Sequence, residues 1–357
     1  MSKLTAPNVT IGIDLGDRFS QVAVVDGEAD VTEEARLRTT AKAMRRWFER
    51  IEPARVALEV GTHSPWVSRL IEELGHEVIV ANAREVRMIY DSDYKSDRVD
   101  AETLARLARL DPALLHGIQH RGEAAHQDLA VIRSREVLVR SRTRLINHVR
   151  GTVKSAGERV PRCSAPTFHK RAAEAVPEGL KPALQPLLDL VEDVTQRIRD
   201  YDRRIESLAT ERYPETQLLR QVAGVGPITA LTFVLTLEDP DRFKKSRSVG
   251  PYLGLCPGRD QSGDRESQCR ITKAGNEMLR RLLIQAAHYQ MGPFGPDSDL
   301  RRWGLARAER GGKIARKKAI VGVARKLAVL LHHLWQTAEV YEPLRNSQTE
   351  EELVEAA

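Results

Sequence analysis

Over the first 110 residues, short apolar runs that close on a glycine or a turn alternate with stretches of helical period. VTIGIDLG (9–16) reads as a strand ending on glycine, and FSQVAVVD (19–26) as a second strand after a tight turn. TTAKAMRRWFERI (39–51) has the spacing of a helix, and RVALEV (55–60) that of a buried strand. SPWVSRLIEELG (64–75) opens on Ser-Pro and stops at glycine, as helices do. EVIVA (77–81) is a further strand, and KSDRVDAETLARL (95–107) starts a helix whose Leu104, Ala105, Leu107 and Ala108 share one face. Strands alternating with helices predict an α/β layer around a mixed or parallel sheet.

The pattern changes near residue 122. Two long charged helical stretches, 123–155 and 180–211, flank a proline-containing segment, VPRCSAPTF (160–168). Leu138, Leu145 and Thr152 repeat every seven residues, as do Leu187, Val194 and Tyr201, which predicts an antiparallel helical hairpin or coiled-coil arm; a plain helical bundle fits the same spacing. From 214 the chain is helical with glycine-rich irregular segments, and a long basic-apolar helix is predicted near 313–337. The expected organisation is an α/β domain over 1–118, a helical arm over 119–212, a mainly helical domain over 213–340 and an acidic tail over 341–357, expected to be disordered, that carries Glu350, Glu351, Glu352 and Glu355.

Composition narrows the class. At 357 residues the chain has room for two or three domains, and 41% hydrophobic with 30% charged residues is that of an ordinary globular protein. No stretch approaches the roughly 20 apolar residues of a membrane span, and MSKLTAPNVT has no signal-peptide pattern, so a cytoplasmic protein with no membrane partner is expected. Cys163, Cys256 and Cys269 form no CxxC or Cys/His cluster, which argues against zinc and against a disulfide framework. The net charge of +6 is modest, yet Arg133, Arg135, Arg140, Arg142, Arg144, Arg150 and Lys154 crowd one predicted helix. Arg301, Arg302, Arg307, Arg310, Lys313, Arg316, Lys317 and Lys318 crowd another region. Clustered cations create the local potential that a nucleic acid meets.

Four acids could converge. Asp14 and Glu59 end their strands, where a carboxylate is costly unless solvated, paired or metal-bound. Asp97 and Asp100 share the first turn of one helix. Acids there also suit the helix dipole, so the pair alone fits a solvated helix start as well. Mg²⁺ takes oxygen ligands, and two such ions about 4 Å apart serve phosphodiester chemistry. GIDLG also begins actin-like ATPases and sugar kinases, but the second phosphate loop and the adenosine motif of that class are missing.

Downstream, AGVGPITA (223–230) has the form of a helix-hairpin-helix turn, in which Gly224 and Gly226 would let backbone amides approach phosphate; an ordinary helix–helix turn reads the same way. In DQSGDRESQCRITKAGN (260–276), Ser262 precedes Gly263 in what reads as a polar loop among Arg259, Arg265, Arg270 and Lys273. The hydroxyl is either a solvated loop group or a nucleophile toward a phosphodiester, and spacing does not choose. Cys256 and Cys269 are expected to be small buried fillers.

Taken together, GIDLG, ALEVGTHS, KSDRVDAETLARL, AGVGPITA and the pattern G-L-x-P-x-x-x-x-S-G followed by I-T-K-x-G-N-x-x-L-R resemble, along nearly the whole chain, the DEDD-type transposases of the IS110 family of insertion sequences, also described as bridge-RNA-guided recombinases. The resemblance implies an RNase H-like N-terminal domain, similar to the Holliday-junction resolvase RuvC, with Asp14, Glu59, Asp97 and Asp100 on Mg²⁺. It implies Ser262 as the nucleophile that joins DNA covalently, and donor DNA, target DNA and a structured bridge RNA as partners. Arg140, Arg144, Arg259, Arg265, Arg270 and Lys273 are the expected nucleic-acid contacts, with the arm supporting a homodimer that assembles to a tetramer. A bacterial, nucleoid-associated location would follow. The competing readings are a resolvase that needs only the acids, an actin-like kinase, and a non-catalytic nucleic-acid-binding protein.

Overall fold

The computed structural model describes residues 9–82, 96–262 and 265–346, with side chains described throughout except at 259–262 and 265–268. Of the tail expected to be disordered over 341–357, residues from 347 onward lie outside the described residues, whereas 341–346 are held by the fold, with Asn346 donating to Asp299 and Tyr341 N to Gln221. The chain divides after Arg121 into two units.

The first unit is built on a five-stranded sheet of order β3-β2-β1-β4-β5. Its strands are β1 (Thr10–Asp14), β2 (Phe19–Val25), β3 (Val31–Arg38), β4 (Arg55–Glu59) and β5 (Glu77–Ala81). β1, β2 and β3 pair antiparallel, whereas β4 is parallel to β1 and β5 parallel to β4. This is the mixed sheet the sequence predicts, with one strand more. β3 (VTEEARLR) is an edge strand, exposed or half-exposed along its whole length, so no apolar alternation announces it.

The faces divide by residue parity, as a pleated sheet requires. Ile11, Ile13, Val56, Leu58 and Val80 pack with Met44, Phe48, Val67 and Ile71 of α1 (Ala41–Phe48) and α2 (Ser64–Glu73). On the opposite face Ala57 and Ala81 meet Leu104, Leu107 and Ala108 of α3 (Asp97–Leu110). That face is lined with small residues, so α3 sits close to the sheet. A side-chain carbon added at Gly12 would overlap the carbonyl oxygen of Ala101, a contact that only glycine permits.

In the second unit α4 (Glu123–Ser155) and α6 (Lys181–Ser207) form an antiparallel hairpin, with α5 (Phe168–Ala175) near its turn. Antiparallel pairing is fixed by Arg135 to Asp202 (2.5 Å) and by Arg142 to Thr195 (3.3 Å). The buried line on α4 runs through Leu129, Ile132, Ile146, Val149 and Val153; the repeat of Leu138, Leu145 and Thr152 lies beside it, half-buried. The seam shifted because its centre is polar, and apolar spacing cannot locate a seam where arginines occupy it.

Beyond the hairpin come α7 (Thr216–Arg220), α8 (Pro227–Leu237), α9 (Val249–Tyr252), a β-hairpin of β6 (Pro257–Ser262) and β7 (Arg265–Ile271), α10 (Glu277–Gln290), α11 (Asp299–Ala308) and α12 (Lys313–Thr337). Phe233, Leu237, Leu253, Leu283, Val323 and Leu327 are among the buried residues of their shared core. Ala125, Leu129 and Ile132 of α4 pack with Leu231 and Leu235 of α8, which joins the arm to these helices in one unit.

Candidate active site

Asp14 and Glu59 are the last residues of β1 and β4, neighbours whose register runs Ile13 to Leu58 one step earlier. Each shares parity with the residue two before it, Gly12 and Ala57, so both carboxylates belong to the α3 face. The direction of α3 follows from three contacts. Ala101 lies over Gly12 in mid-strand, Arg55 at the start of β4 donates to Ala108 O (3.2 Å), and Arg106 donates to Ala29 O (2.7 Å) in the β2–β3 turn. The helix therefore runs antiparallel to β1, and its first turn lies at the carboxyl edge where Asp14 and Glu59 end. Asp97 stands one turn before Ala101 and Asp100 one turn before buried Leu104, which puts both on the sheet side of the helix.

Local chemistry secures each element. Ser96 caps α3 by accepting from Val99 N (3.3 Å), which fixes where the acidic turn begins. The turn after Asp14 is tied by Thr39, whose Oγ1 donates to Gly16 O (2.9 Å) and meets Ser20 Oγ (2.8 Å). The loop after Glu59 is tied by Ser64, whose Oγ donates to Gly61 O (2.8 Å) and accepts from Gly61 N (2.9 Å).

Asp14, Glu59 and Asp100 are half-buried and Asp97 is exposed; none of the first three lacks a partner. Among the described residues no three His, Cys, Asp or Glu side chains close together as a metal shell. The four share one edge and one face, and as donors they are all carboxylate oxygens, the set a hard divalent cation takes. Asp91 and Asp93, two further acids a few residues before α3, lie outside the described residues.

The serine segment is a β-hairpin, not the irregular loop the sequence suggested. Ser262 ends β6 opposite Arg265, the first residue of β7. The strands PGRDQS and RESQCRI carry almost no apolar residues, so no alternation marks them. Of the basic residues around Ser262, Arg259 and Arg265 lie on these strands with side chains not described, whereas Arg270 and Lys273 are exposed. Cys269 is exposed and Cys256 half-buried, which corrects the expectation of two buried fillers.

The base of the hairpin is where the motif residues act. Gly254 and Gly275 both take positive φ, and a side chain on either would overlap the other segment's backbone, at Ala274 and Tyr252. Arg280, buried on α10, donates to Leu253 O (3.1 Å) and Ala274 O (2.6 Å) and so staples the two segments. Asn276 caps α10 through Leu279 N (3.0 Å) and donates to Thr236 Oγ1 of α8 (3.3 Å). Sequence reasoning singles out this I-T-K-x-G-N-x-x-L-R element but assigns no role to Arg280 or Asn276. The cue was an arginine and an asparagine spaced to face the glycine turns.

Gly224 and Gly226 sit in the turn between α7 and α8. Gly224 has φ of 82° and packs against Ala286 and Tyr289 of α10, so the fold requires it; Gly226 opens on free space at the start of α8. α8 is buried along Thr229–Leu237, leaving its first residues accessible.

Several cations counted from the sequence are engaged by the fold. Arg135 pairs with Asp202, Arg142 lies in the seam, and Arg150 stacks over Phe168 at 5.1 Å. Burial, and then repulsion from Arg135, hold the Arg142 guanidinium below its usual range. Arg140 pairs with Glu136 (2.9 Å), which also binds Arg281 (2.7 Å), whereas Arg144 is exposed with no acid beside it among the described residues. Arg301 donates to Gly292 O (2.6 Å) and Arg302 pairs with Asp297 (2.8 Å). Arg307, Arg310, Lys313, Arg316 and Lys317 stay exposed around the α11–α12 corner, where Arg307 and Lys326 flank the ring of Trp303 at 5.0 and 4.7 Å.

The first unit is thus a mixed sheet with four acids at its carboxyl edge, and the second a mainly helical unit with exposed cations at its α11–α12 corner. Two family models match the chain: the DEDD transposase model of the IS110 group over residues 11–157, and the transposase IS116/IS110/IS902 family over 216–299. The first span encloses Asp14, Glu59, Asp97 and Asp100; the second encloses Gly224, Gly226 and Ser262. The transposase for insertion sequence element IS1111A of Coxiella burnetii is 31% identical over 71% of this chain and 70% of its own length. That for insertion sequence element IS1328 of Yersinia enterocolitica is 30% identical over 80% and 85%. A probable family 20 transposase of Pseudomonas aeruginosa is 28% identical over 93% and 98%. The chain belongs to the IS110 family of insertion-sequence transposases, and is a DNA transposase. Its first unit is the RNase H-like domain this family implies, and a DEDD set implies use of a divalent metal ion. No described helix is long and apolar enough to cross a membrane.

Proposed function

We propose that this transposase cleaves and exchanges DNA strands through a serine–DNA ester, with Asp14, Glu59, Asp97 and Asp100 holding Mg²⁺ and Ser262 as nucleophile. What supports the acidic half is that Asp14 and Glu59 end neighbouring parallel strands at the edge where the first turn of α3, with Asp97 and Asp100, begins. A bound divalent cation there would make an attacking oxygen more nucleophilic and neutralise charge on the transferring phosphoryl group.

The Ser262 half is supported by its place at the end of β6, beside a base held by Gly254, Gly275 and Arg280. In the proposed step Ser262 Oγ loses its proton and bonds to phosphorus. The bond to the leaving strand breaks, and that strand's oxygen takes up a proton. A hydroxyl on the incoming strand reverses the step, so the phosphodiester's bond energy is conserved. Arg259, Arg265, Arg270 and Lys273 would stabilise the charge on phosphate.

Partners in this reading are donor and target DNA and a structured bridge RNA, bound by a homodimer that assembles to a tetramer. Arg144 and the α11–α12 corner supply exposed cations for the backbones, Arg140 a paired one, and the Gly226 end of α8 supplies amides in the manner of a helix-hairpin-helix. The deciding experiment incubates the protein with labelled substrate DNA, the element's RNA and Mg²⁺, then denatures. Wild type gives a labelled protein–DNA band, and both Ser262→Ala and Asp14→Ala lose it. A band that survives in Ser262→Ala places the nucleophile elsewhere. Cleavage without any adduct favours the resolvase-like alternative.

A further inference from the structure

The loop that leaves Glu59 carries a group the acidic set does not use. His63 stands at the start of α2, four residues beyond Glu59, and its side chain is 29% exposed. The indole Nε1 of Trp66 lies 3.1 Å from His63 Nδ1, with the two rings edge to face. An indole N–H can only donate, so Nδ1 must be the acceptor, and the neutral imidazole carries its proton on Nε2. Trp66 is itself packed against the core beneath α2, which holds the ring in place.

His63 Nε2 faces the turn that leaves Asp14. Its nearest acid there is Asp17 Oδ1 at 3.7 Å, too long for a hydrogen bond, on a side chain that is 92% exposed. His63, in the loop that leaves β4, therefore comes against the turn that leaves β1, at the same carboxyl edge of the sheet at which Asp14 and Glu59 end. Ser64 clamps Gly61 from both sides and also meets His120 Nε2 (2.9 Å), so the loop bearing His63 is braced.

We infer that His63 is a substrate-contacting residue: its Nε2–H donates a hydrogen bond to a non-bridging oxygen of the phosphate cleaved at the acidic edge, with Trp66 as the positioning residue that fixes the tautomer. No proton is transferred; the neutral imidazole acts as a fixed dipole toward charge on the phosphoryl group. The inference rests on the reading that strand cleavage occurs at the four acids.

The test measures single-turnover strand cleavage and, separately, substrate affinity for wild type, Asp14→Ala, His63→Ala, His63→Gln and Trp66→Phe. Loss of one preorganised donor costs on the order of 10²- to 10³-fold in rate, so His63→Ala should fall by that much with affinity unchanged. His63→Gln, which keeps an N–H at similar reach, should recover to within about tenfold of wild type. Nitrogen NMR of labelled wild-type protein should show His63 Nδ1 unprotonated, and Trp66→Phe should mix the tautomers. A stereospecific phosphorothioate at the scissile phosphate, in which sulfur accepts hydrogen bonds poorly, should slow wild type but not slow His63→Ala further.

If Asp14→Ala still cleaves, the acidic-edge reading itself fails. If Asp14→Ala is dead while His63→Ala stays within about twofold of wild type, or if His63 Nδ1 proves protonated, this inference alone is overturned. The NMR measurement and the phosphorothioate effect on wild type use the unaltered protein, so they decide the matter even where a variant fails to fold.

Discussion

The acidic edge and the serine hairpin place the groups of the proposed reaction by opposite means. At the edge, position follows from regular structure: strand parity puts Asp14 and Glu59 on one face, and helical period puts Asp97 and Asp100 over it. At the hairpin, position follows from irregular backbone, with two positive-φ glycines and one buried arginine holding the base of a pair of strands that carry few apolar residues. Precision at the first is a by-product of packing a core. At the second it depends on a few polar contacts and should be easier to disturb.

Substitutions at the edge should give the largest effects. Asp14→Ala, Glu59→Ala, Asp97→Ala or Asp100→Ala is expected to lower strand cleavage on the order of 10³-fold or more with melting temperature little changed, and excess EDTA should do the same to wild type. Wild-type rates in EDTA would break the metal half of the comparison. Next comes Gly12→Val, which forces α3 off the sheet; overpacking there should cost about 3 kcal/mol and misplace Asp97 and Asp100 together. Chemical denaturation and cleavage should both register it.

Arg280→Ala should sharpen the contrast. It leaves the carbonyls of Leu253 and Ala274 unpaired, at a cost of about 1–3 kcal/mol, and should abolish the covalent adduct while Mg²⁺ binding to the first unit is retained. Retention of the adduct would show that the hairpin needs no such staple. On the arm, Arg144→Glu should weaken nucleic-acid binding more than Arg140→Glu, because Arg140 already answers Glu136. Each lost phosphate contact should reduce the salt slope by about 0.9.

The smallest effect is a control away from both regions. Tyr213 donates to buried Asp128 (2.7 Å), and burial together with that carboxylate pushes its hydroxyl up to about 12 from 10. Since the folded value is the higher, the stabilisation is complete below pH 10 and declines as pH rises toward 12. Tyr213→Phe should flatten that decline in pH-dependent denaturation and leave cleavage unchanged.

What could be read from the sequence follows the same division. The sheet and α3 were legible because apolar runs mark them, and Asp14, Glu59, Asp97 and Asp100 stand where those runs start or stop. β3 and the β6–β7 hairpin were not, since β3 is exposed or half-exposed along its length and the hairpin strands carry few apolar residues to form a pattern. The seam of the arm was misplaced by one position where Arg135 and Arg142 replace apolar residues. Arginine clusters overstated the free charge, because Arg301 and Arg302 are engaged by the fold in ways that a count cannot reveal.

The polar centre of the α4–α6 arm has a consequence for how that arm comes apart. Apolar clusters gather at its two ends, Ile146, Val149 and Leu188 at one and Leu129, Ile132 and Ile205 at the other, with a waist between them where the pairs Arg135–Asp202 and Arg142–Thr195 lie beside buried Val194 and Ile198. A helix pair stitched in this way behaves thermodynamically as two cooperative blocks rather than one rod. Amide exchange should therefore show the turn end opening as its own unit while the end packed on α8 stays closed. The waist would then set a fixed crease where the arm yields.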